Sequence, residues 1–564
     1  MDLEKKKTPG FCSKGRAPEH FCKSKGEIMN IPVTPFMWLM AFLPIIVLLI
    51  LMLKFKWGAT EAAPLGLMIA IVTGLCFYKA DVRLLAAESA KGFWSALVIL
   101  IIIWTAVLLY QVGNEANAYQ VIRNGLKKFL PNELLLVLAI GYVFTSFLQG
   151  ITGFGVPDAV GAPLLIGIGV NPLWAVVLPL FGESWGNTYG TLAAAWDALA
   201  MSAGLTQGTG AYLMTAFWTA AFIWFWNAVS GFAVCWFYGK GKAIKKGFPA
   251  ILLLSAIQGG GELLLSQINT TLSCFVPACV SLIAILFLGR TRFYGEEWCV
   301  EDSPIMNRQH TEKENSQEST DMTLLQAFVP YILLSVITLA VLLIKPLNNV
   351  LNQVALGLPF PETVTGYGRV NAASDCYSPI RPFTHAGMFL FLSAVIGLVY
   401  YRKKGWIKKG GVKKVFVNAI SMTMPSGISV IGLVMMSKVM DGTGQTIVLA
   451  NGIANVLGRV YVLLAPFVGL LGTFMTGSNM SSNILFGGFQ STTANLLNVN
   501  ASVVLGAQSA GGAVGSTIAP SKIILGTTTA NILGQEGEVI KKIMPITLTG
   551  TAIIGIIGYL LTII

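Results

Sequence analysis

The stretch TFMTGSNMSSNILFGGFQ, residues 473–490, combines glycines, small hydroxyl side chains and amides without one formal charge. It lies within a longer run, Val460–Ser521, that contains no charged residue. In water such a sequence would form a flexible loop. Within a bilayer, irregular backbone is tolerated only where it is buried in protein or lines a cavity. Its interpretation therefore depends on the solvent of the whole chain.

The composition of the chain indicates a membrane protein. Of its 564 residues, 54% are hydrophobic and only 11% are charged, whereas soluble proteins carry about 25% charged residues. Uncharged runs recur along the whole sequence, and one crossing helix needs about 20 apolar residues. We therefore predict an all-α polytopic membrane protein with about 12 transmembrane helices, within a range of about 10–14. The expected location is the cell membrane, which in a bacterium is the inner membrane.

The charge pattern indicates how the chain is oriented. The net charge is +12, and lysine-rich short loops such as Lys240–Lys246 supply much of it, as cytoplasmic loops do. No nucleic-acid partner is therefore predicted. Residues 1–33 form a polar tail without the apolar core of a cleavable signal. Cys12, His20 and Cys22 in this tail are three candidate metal ligands. Three such residues in a polar tail are too few to predict a site, so we predict no metal and no cofactor.

Polar segments divide the chain into two halves. Residues 34–289 and 323–564 are the predicted N-terminal and C-terminal transmembrane halves. Residues 290–322 mix acids and bases with few large apolar residues, which is typical of a mobile linker, here on the cytoplasmic side. Residues 346–384, rich in Asn, Pro and Gly, are predicted to form an external cap.

Each half contains a similar Gly-rich segment, which we interpret as a broken repeat. The first repeat comprises about residues 132–205 and the second about residues 461–535. The matched positions are Phe147 with Phe474, Gly150 with Gly477, Val170–Asn171 with Val499–Asn500, and Gly182, Gly186 and Thr188 with Gly511, Gly515 and Thr517. The first repeat follows Gly113–Pro131, predicted to be cytoplasmic, and the second follows Asp441–Arg459, predicted to be external. Inverted repeats with broken or re-entrant helices are typical of secondary transporters. Chance similarity between Gly-rich membrane segments is the alternative.

The broken stretches are predicted to bind a small anion. Helix N-termini carry partial positive charge and free N–H groups, and small polar side chains add hydrogen bonds without a full buried charge. The candidates for substrate binding are Gly477, Ser478, Asn479, Ser481, Ser482, Asn483, Gly511 and Gly512 in the second repeat, and Gly150, Thr152, Gly153 and Gly155 in the first. The alternative is Gly/Ser helix packing, which explains the glycines better than it explains the polar cluster.

Ionisable residues in the apolar runs are the other functional candidates, because each costs a few kcal/mol in a membrane. Asp158 and Glu183 lie in the first repeat and are the candidates for proton or ion coupling. We predict Glu183, between Gly182 and Gly186, as the proton carrier and Asp158 as the group that orients substrate or an ion. Lys522 follows the second break and is predicted either to neutralise a substrate carboxylate or to pair with one of these acids.

A functional role is less strongly indicated for three further ionisable residues. Asp197 could be a helix-end residue at the interface, and Glu262, after Gly259–Gly261, is expected at a helix kink rather than in the site. His385 begins an apolar run and could relay protons, although a single histidine at a membrane boundary is more often interfacial.

Three long motifs resemble a known family. TGSNMSSNILFGGFQ (476–490), AGGAVGSTIAP (510–520) and FLQGITGFGVP (147–157) are similar to segments of the bacterial L-lactate permeases, and the general pattern extends over most of the chain. The resemblance implies a secondary transporter that takes up lactate or a related 2-hydroxy monocarboxylate with protons. It also implies a fold like that of the broader ion-transporter superfamily.

The sequence departs from these relatives at three charged or polar positions. Relatives usually carry a small or aliphatic residue in place of Asp158 and an uncharged residue, often Asn, near Glu183. Many of them carry an acid in place of Asn479. These departures leave both the substrate and the coupling ion open.

The leading hypothesis is therefore a proton-coupled symporter of lactate or glycolate that works by alternating access. Its partners would be a small organic anion, a co-transported proton or sodium ion, and the lipid bilayer; its oligomeric state is left open. The alternative is a Na⁺-coupled carrier, or a carrier of another organic solute, since oxygen-rich breaks also suit a hard cation. A channel is less consistent with paired broken repeats. An enzyme is not predicted, because only one of three histidines, His385, adjoins an apolar run as a possible base.

Overall fold

The computed structural model describes residues 31–55, 57–153, 155–307 and 321–563. The polar tail up to residue 30, with Cys12, His20 and Cys22, lies outside these described residues.

Helices make up most of the described chain. The first twelve are α1 (Pro35–Leu53), α2 (Ala59–Phe77), α3 (Val82–Glu115), α4 (Ala118–Phe129), α5 (Glu133–Leu138), α6 (Thr145–Ile151), α7 (Val156–Ile166), α8 (Pro172–Ser184), α9 (Gly190–Ala203), α10 (Gly210–Ser255), α11 (Gly261–Ser266) and α12 (Phe275–Leu288). The others are α13 (Leu324–Ala327), α14 (Val329–Leu343), α15 (Lys345–Leu351), α16 (Ala386–Lys403), α17 (Gly411–Thr443), α18 (Gln445–Leu457), α19 (Tyr461–Thr476), α20 (Asn479–Leu496), α21 (Ala501–Gly515), α22 (Pro520–Thr529) and α23 (Glu536–Ile563). Short 3-10 turns occur at Trp185–Asn187, Thr270–Leu272, Gly458–Val460 and Ser516–Ile518, and π-helical turns at Ala139–Phe144 and Ala256–Gly260.

The helices confirm the prediction of a multi-pass membrane protein. Within the described residues, 10 helical segments are long and apolar enough to cross a membrane, and 11 if α14 and α15, bent by 88°, count as one span. Large apolar side chains such as Leu264, which is 70% exposed, stand on the outer faces of these helices. Such apolar faces are unfavourable in water but are covered by lipid chains in a bilayer. The number lies at the lower end of the predicted range.

The predicted external cap contains short strands, which the sequence analysis did not anticipate. They are β1 (Leu356–Phe360), β2 (Thr363–Val364), β3 (Val370–Asn371) and β4 (Ser374–Ile380). The inner pair β2–β3 and the outer pair β1–β4 are both antiparallel, so they form nested hairpins. The side of the membrane on which they lie stays a prediction.

Contacts divide the chain into two compact units. The first comprises the chain up to Thr105 with residues 333–392 and 424–452, and it holds the strands. It also contains a buried ion pair, Lys91 with Glu88 at 2.8 Å. The second comprises residues 106–332, 393–423 and 453–564, and therefore both predicted repeats.

The two repeats share one order of elements. In each, a helix ends at glycines in the left-handed conformation, with φ of 57° and 80° at Gly153 and Gly155 and 75° at Gly477. A second helix, a turn and a third helix follow, and the third helix ends in a 3-10 turn. Asn171 and Asn500 cap the third helices α8 and α21 through their side-chain oxygens. The broken helices are confirmed, whereas the inverted relation of the repeats stays a prediction.

Helix α10 provides a common reference for both repeats. The backbone of α10 is not helical at Gly239 and Lys240, so the helix has a break there. The ring of Trp174, near the start of α8, lies 4.9 Å from that of Phe237, just before this break. The hydroxyl of Ser502, near the start of α21, lies 3.1 Å from that of Thr215 near the beginning of α10. Four residues further along both helices, Gly506 lies against Thr219, since a side-chain carbon at Gly506 would be 2.9 Å from Thr219 N. Helix α21 therefore runs parallel to α10. Helix α8 runs antiparallel to it, since Ser184 contacts Trp226.

The first part of the predicted linker packs against other parts of the second unit, to which it belongs. Ser303 Oγ donates to Tyr238 O at 2.6 Å, and Asn171 N donates to Ile305 O at 2.7 Å. Lys246 Nζ lies 3.8 Å from the centre of the Phe293 ring. Polar side chains and aromatic rings therefore hold residues 290–307, whereas the mobility expected of the linker stays a prediction.

Helices α19 and α21 touch backbone to backbone. A side chain at Gly511 would overlap Pro466 O, and one at Gly469 would overlap Gln508 O. A side chain at Gly515 would lie 2.7 Å from Leu470 Cα. Small residues permit this approach, which is typical of membrane helix pairs.

Candidate functional site

The breaks of the two repeats meet near the middle of α10. Asn187 Nδ2, in the first 3-10 turn, donates to Ser516 Oγ, in the second, at 2.9 Å. Ser184 Oγ, directly before the first turn, accepts from Trp226 Nε1 at 2.7 Å. At 1.5 Å per residue, Trp226 is about 24 Å from the start of α10 and about 20 Å from the break at Gly239. The meeting point is therefore at about the mid-depth of a crossing helix.

A buried ion pair lies at this meeting point. The side chain of Lys522, on α22, is 5% exposed, and that of Glu183, at the end of α8, is 0% exposed. Lys522 Nζ pairs with Glu183 Oε1 and also donates to Asn187 Oδ1 at 3.0 Å. Of the partners predicted for Lys522, Glu183 is therefore the one that it contacts.

Asp158 adds a second carboxyl to the same site. It lies on α7, is completely buried, and neither of its carboxyl oxygens has a hydrogen-bond partner among the described residues. Both Glu183 and Lys522 are within electrostatic range of it. Only Glu183 contacts the lysine, so one negative charge remains unpaired when all three groups are ionised.

A small cavity opens beside the ion pair, between the two breaks. It is lined by Gln149, Asn187, Gly190, Thr191, Ala194, Ala195, Gly477, Ser478, Asn479, Met480 and Lys522. Gly477, Ser478, Asn479 and Lys522 were among the predicted substrate-binding residues. Sequence reasoning missed Gln149 and Asn187, although both lie within the motifs or matched segments of the first repeat.

Polar side chains join the two repeats around the cavity. Asn479 Nδ2 donates to Thr188 Oγ1 at 2.9 Å, and Thr188 Oγ1 lies 3.0 Å from Ser509 Oγ. Asn483 Nδ2 donates to Ser509 Oγ at 2.9 Å and to Ala195 O at 3.0 Å. The predicted residue Asn483 therefore supports the site from behind rather than lining it.

Other predicted residues have packing or local roles. A side chain at Gly150 would lie 3.1 Å from Phe275 Cα, Thr152 Oγ1 donates to Leu148 O, and Ser482 Oγ donates to Gly469 O at 2.8 Å. The remaining candidates lie off the cavity lining as well: Gly153 against Thr191, Gly155 against Leu525, Ser481 in the first turn of α20, Gly511 against Pro466 and Gly512 against Asn479.

The cavity wall contains strained backbone. Thr191, Leu192 and Ala193 have φ of 50°, 50° and 69°, a conformation that costs about 1–3 kcal/mol for each residue with a side chain. Hydrogen bonds hold the segment, from Ala193 N to Tyr189 O and from Trp196 N to Thr188 O, both at 2.9 Å. Strain of this kind is concentrated at functional sites.

The other intramembrane acids lie away from the ion pair. Glu262 follows the π-helical turn Ala256–Gly260, where a kink was expected, and its carboxyl oxygens have no hydrogen-bond partner in the described residues. Asp197 lies on α9 and is exposed.

Comparison with known proteins identifies the family of the chain. The family model described as L-lactate permease matches residues 37–564. The L-lactate permease of Escherichia coli (strain K12) is 26% identical over 574 residues, covering 93% of this chain and 96% of that relative. The glycolate permease GlcA of the same strain is 26% identical over 552 residues, with 93% and 95% covered.

A further relative and a solved structure are also similar to the chain. The L-lactate permease of Halalkalibacterium halodurans is 26% identical over 512 residues, covering 89% of this chain and 92% of its own. The crystal structure of the YdaH transporter of Alcanivorax borkumensis aligns with a TM-score of 0.41 and 14% identity over 84% of this chain and 86% of that chain. Because the family model covers nearly the whole sequence, the chain belongs to the L-lactate permease family.

Proposed function

We propose that the protein is a secondary active transporter, which carries lactate or a related 2-hydroxy monocarboxylate together with a proton by alternating access. The observation that carries this proposal is the buried Lys522–Glu183 pair at the cavity between the two breaks. A buried cation beside a cavity is the group that a small carboxylate needs.

The substrate carboxylate would bind at Lys522 in place of Glu183. Helix α20 begins at Asn479, which lines the cavity, so the partial positive charge of this helix N-terminus would also attract the carboxylate. The amides of Asn187 and Gln149 and the hydroxyl of Thr191 also line the cavity. These groups can hydrogen-bond the 2-hydroxyl of the substrate, so the site favours a 2-hydroxy acid over a plain fatty acid.

Proton coupling would follow because Glu183 and the substrate carboxylate compete for Lys522. When the ammonium group turns to the substrate, Glu183 is left buried without a cation. Burial without a partner disfavours the ionised carboxyl, so Glu183 takes up a proton. The loaded site would then contain the same net charge as the empty one. Asp158, on the other arm of the first repeat, would orient the substrate.

The directions of α8 and α21 support alternating access. The two helices run in opposite directions along α10, and their broken ends meet at mid-depth. A site between oppositely oriented broken helices can be exposed to either side by movement of one repeat against the other.

Uptake by purified protein in proteoliposomes tests the proposal. Radiolabelled lactate, glycolate and propionate would be supplied under an imposed pH gradient, with sodium chloride at the same concentration on both sides of the membrane. We expect accumulation of the two hydroxy acids above the external concentration, and weaker uptake of propionate. Equilibration without accumulation would indicate a channel, and a lack of uptake of all three acids would overturn the substrate assignment.

A further inference from the structure

Two buried oxygen atoms at the second break accept no hydrogen bond from any of the described residues. Thr473 is completely buried and Asn479 is 2% exposed. Thr473 Oγ1 and Asn479 Oδ1 both lack a hydrogen-bond partner among the described residues. Buried polar atoms are almost always partnered, so this pair indicates a ligand that the two oxygens would bind.

The two oxygens face one small space beside Gly512. A side-chain carbon at Gly512 would overlap Asn479 Oδ1 and would lie 3.0 Å from Thr473 Oγ1. Glycine therefore keeps this space free. The orientation of the Asn479 amide is set by its nitrogen, which donates to Thr188 Oγ1 at 2.9 Å, so the oxygen is directed the other way.

The local electrostatics suit a cation. Helix α19 is 16 residues long and ends at Thr476, followed by left-handed Gly477, so the negative end of its dipole lies at Thr473, in its last turn. Asn479 is the first residue of α20 and contributes its side-chain oxygen. Oxygen atoms are the ligands of hard cations, and helix C-termini at membrane breaks hold such ions in transporters. Neither residue has a carboxylate, which favours a singly charged ion over Ca²⁺ or Mg²⁺.

We propose that Thr473 Oγ1, Asn479 Oδ1 and the C-terminal end of α19 form a Na⁺ site beside Gly512. The site deepens the proposed function, since it rests on the second break as part of the transport site and supplies a second co-transported ion. It does not require lactate to be the substrate. Substrate binding at the adjoining Asn479 would then depend on sodium as well as on the proton at Glu183.

Thermal unfolding of the full-length purified protein, without substrate, tests the site directly. Sodium chloride would replace potassium chloride at constant ionic strength. We expect the unfolding temperature to rise with Na⁺ and to saturate, as a ligand of the folded state requires. Thr473→Val should raise the half-saturating Na⁺ concentration roughly tenfold or more, since one ligand to a charged group is lost. Thr473→Ser keeps the hydroxyl and should respond like the wild type.

A matched control is available on α20. Thr493 is also completely buried, but its hydroxyl donates to Phe489 O at 2.8 Å. Thr493→Val should therefore leave the Na⁺ response unchanged. If Thr473→Val does not fold, Asn479→Asp provides the second measurement, since an added carboxylate should lower the half-saturating Na⁺ concentration.

Equal unfolding temperatures in Na⁺ and K⁺ would overturn the site, and so would an unchanged Na⁺ response in both Thr473→Val and Asn479→Asp. These outcomes are distinct from failure of the proposed function. A Na⁺ response without uptake of any hydroxy acid would overturn the lactate proposal alone. Lactate accumulation without a Na⁺ response would overturn the sodium site alone.

Discussion

Removal of Lys522 should separate a structural role of the buried ion pair from a role in substrate binding. Lys522→Ala leaves Glu183 buried without its cation, and the loss of one partner of a buried pair destabilises by about 3–5 kcal/mol. Substrate binding would lose a hydrogen bond to a charged group, about 1.5–3 kcal/mol, so KM should rise roughly 10- to 100-fold. Lys522→Arg keeps the charge and should be affected less.

The double variant Lys522→Ala with Glu183→Gln decides between the two roles. It removes both charges, so no unpaired charge is left in the pair and most of the lost stability should return. Uptake should not return, because the substrate carboxylate still lacks its cation. Thermal unfolding and the KM for exchange of radiolabelled lactate would be measured on the same preparations. A double variant that regains both stability and wild-type KM would refute substrate binding at Lys522.

The ion pair of the first unit provides the control for this experiment. Lys91 pairs with Glu88 at 2.8 Å, and their side chains are 7% and 6% exposed, nearly as buried as the pair at the breaks. Lys91→Ala should therefore lower the unfolding temperature while the KM stays unchanged. A similar rise in KM would mean that general destabilisation, rather than lost binding, explains the result at Lys522.

Three further predictions concern coupling and topology. Glu183→Gln should abolish accumulation driven by a pH gradient but preserve exchange of labelled for unlabelled substrate; accumulation with unchanged pH dependence would exclude Glu183 as the coupling group. Cysteines at the exposed positions Lys127 and Arg459 should differ in labelling by an impermeant reagent on intact cells, with only position 459 reactive, and equal labelling would contradict the inverted repeat. Burial lowers the pKa of His385 to about 4, so this imidazole stays neutral from pH 5 to 8 and would gain a proton only below that range; His385→Gln should leave the pH profile of uptake unchanged between pH 5 and 8, and a shifted profile would make this histidine a relay.

The membrane location of the chain and its broken helices could be predicted, because the sequence signals for both are local. Each crossing requires its own run of about 20 apolar residues, and the left-handed turns at Gly153, Gly155 and Gly477 use the one residue type that adopts this conformation without strain. Three of the predicted substrate-binding residues that depend on the breaks, Gly477, Ser478 and Asn479, line the cavity. Their role in substrate binding stays a prediction.

The other features depend on contacts between distant parts of the chain. Glu183 and Lys522 are 339 positions apart, and no local pattern selects Glu183 rather than Asp158 as the partner. The charges of residues 290–307 indicated a mobile segment, but Lys246 and Tyr238 hold it from elsewhere in the sequence. The left-handed turn at Thr191–Ala193 contains no glycine, so local propensity argues against it and only its surroundings impose it.

The backbone contact between α19 and α21 restricts how the molecule can move. At Gly469 and Gly511, a carbonyl oxygen of the partner helix occupies the position that the Cβ atom of any other residue would take. One helix cannot slide a full turn past the other without bringing larger residues, such as Leu470, into these positions. We therefore expect α19 and α21 to travel as one rigid block during the transport cycle. The interface that moves during transport then lies on other faces of this block. Cross-linking α19 to α21 should therefore leave turnover intact.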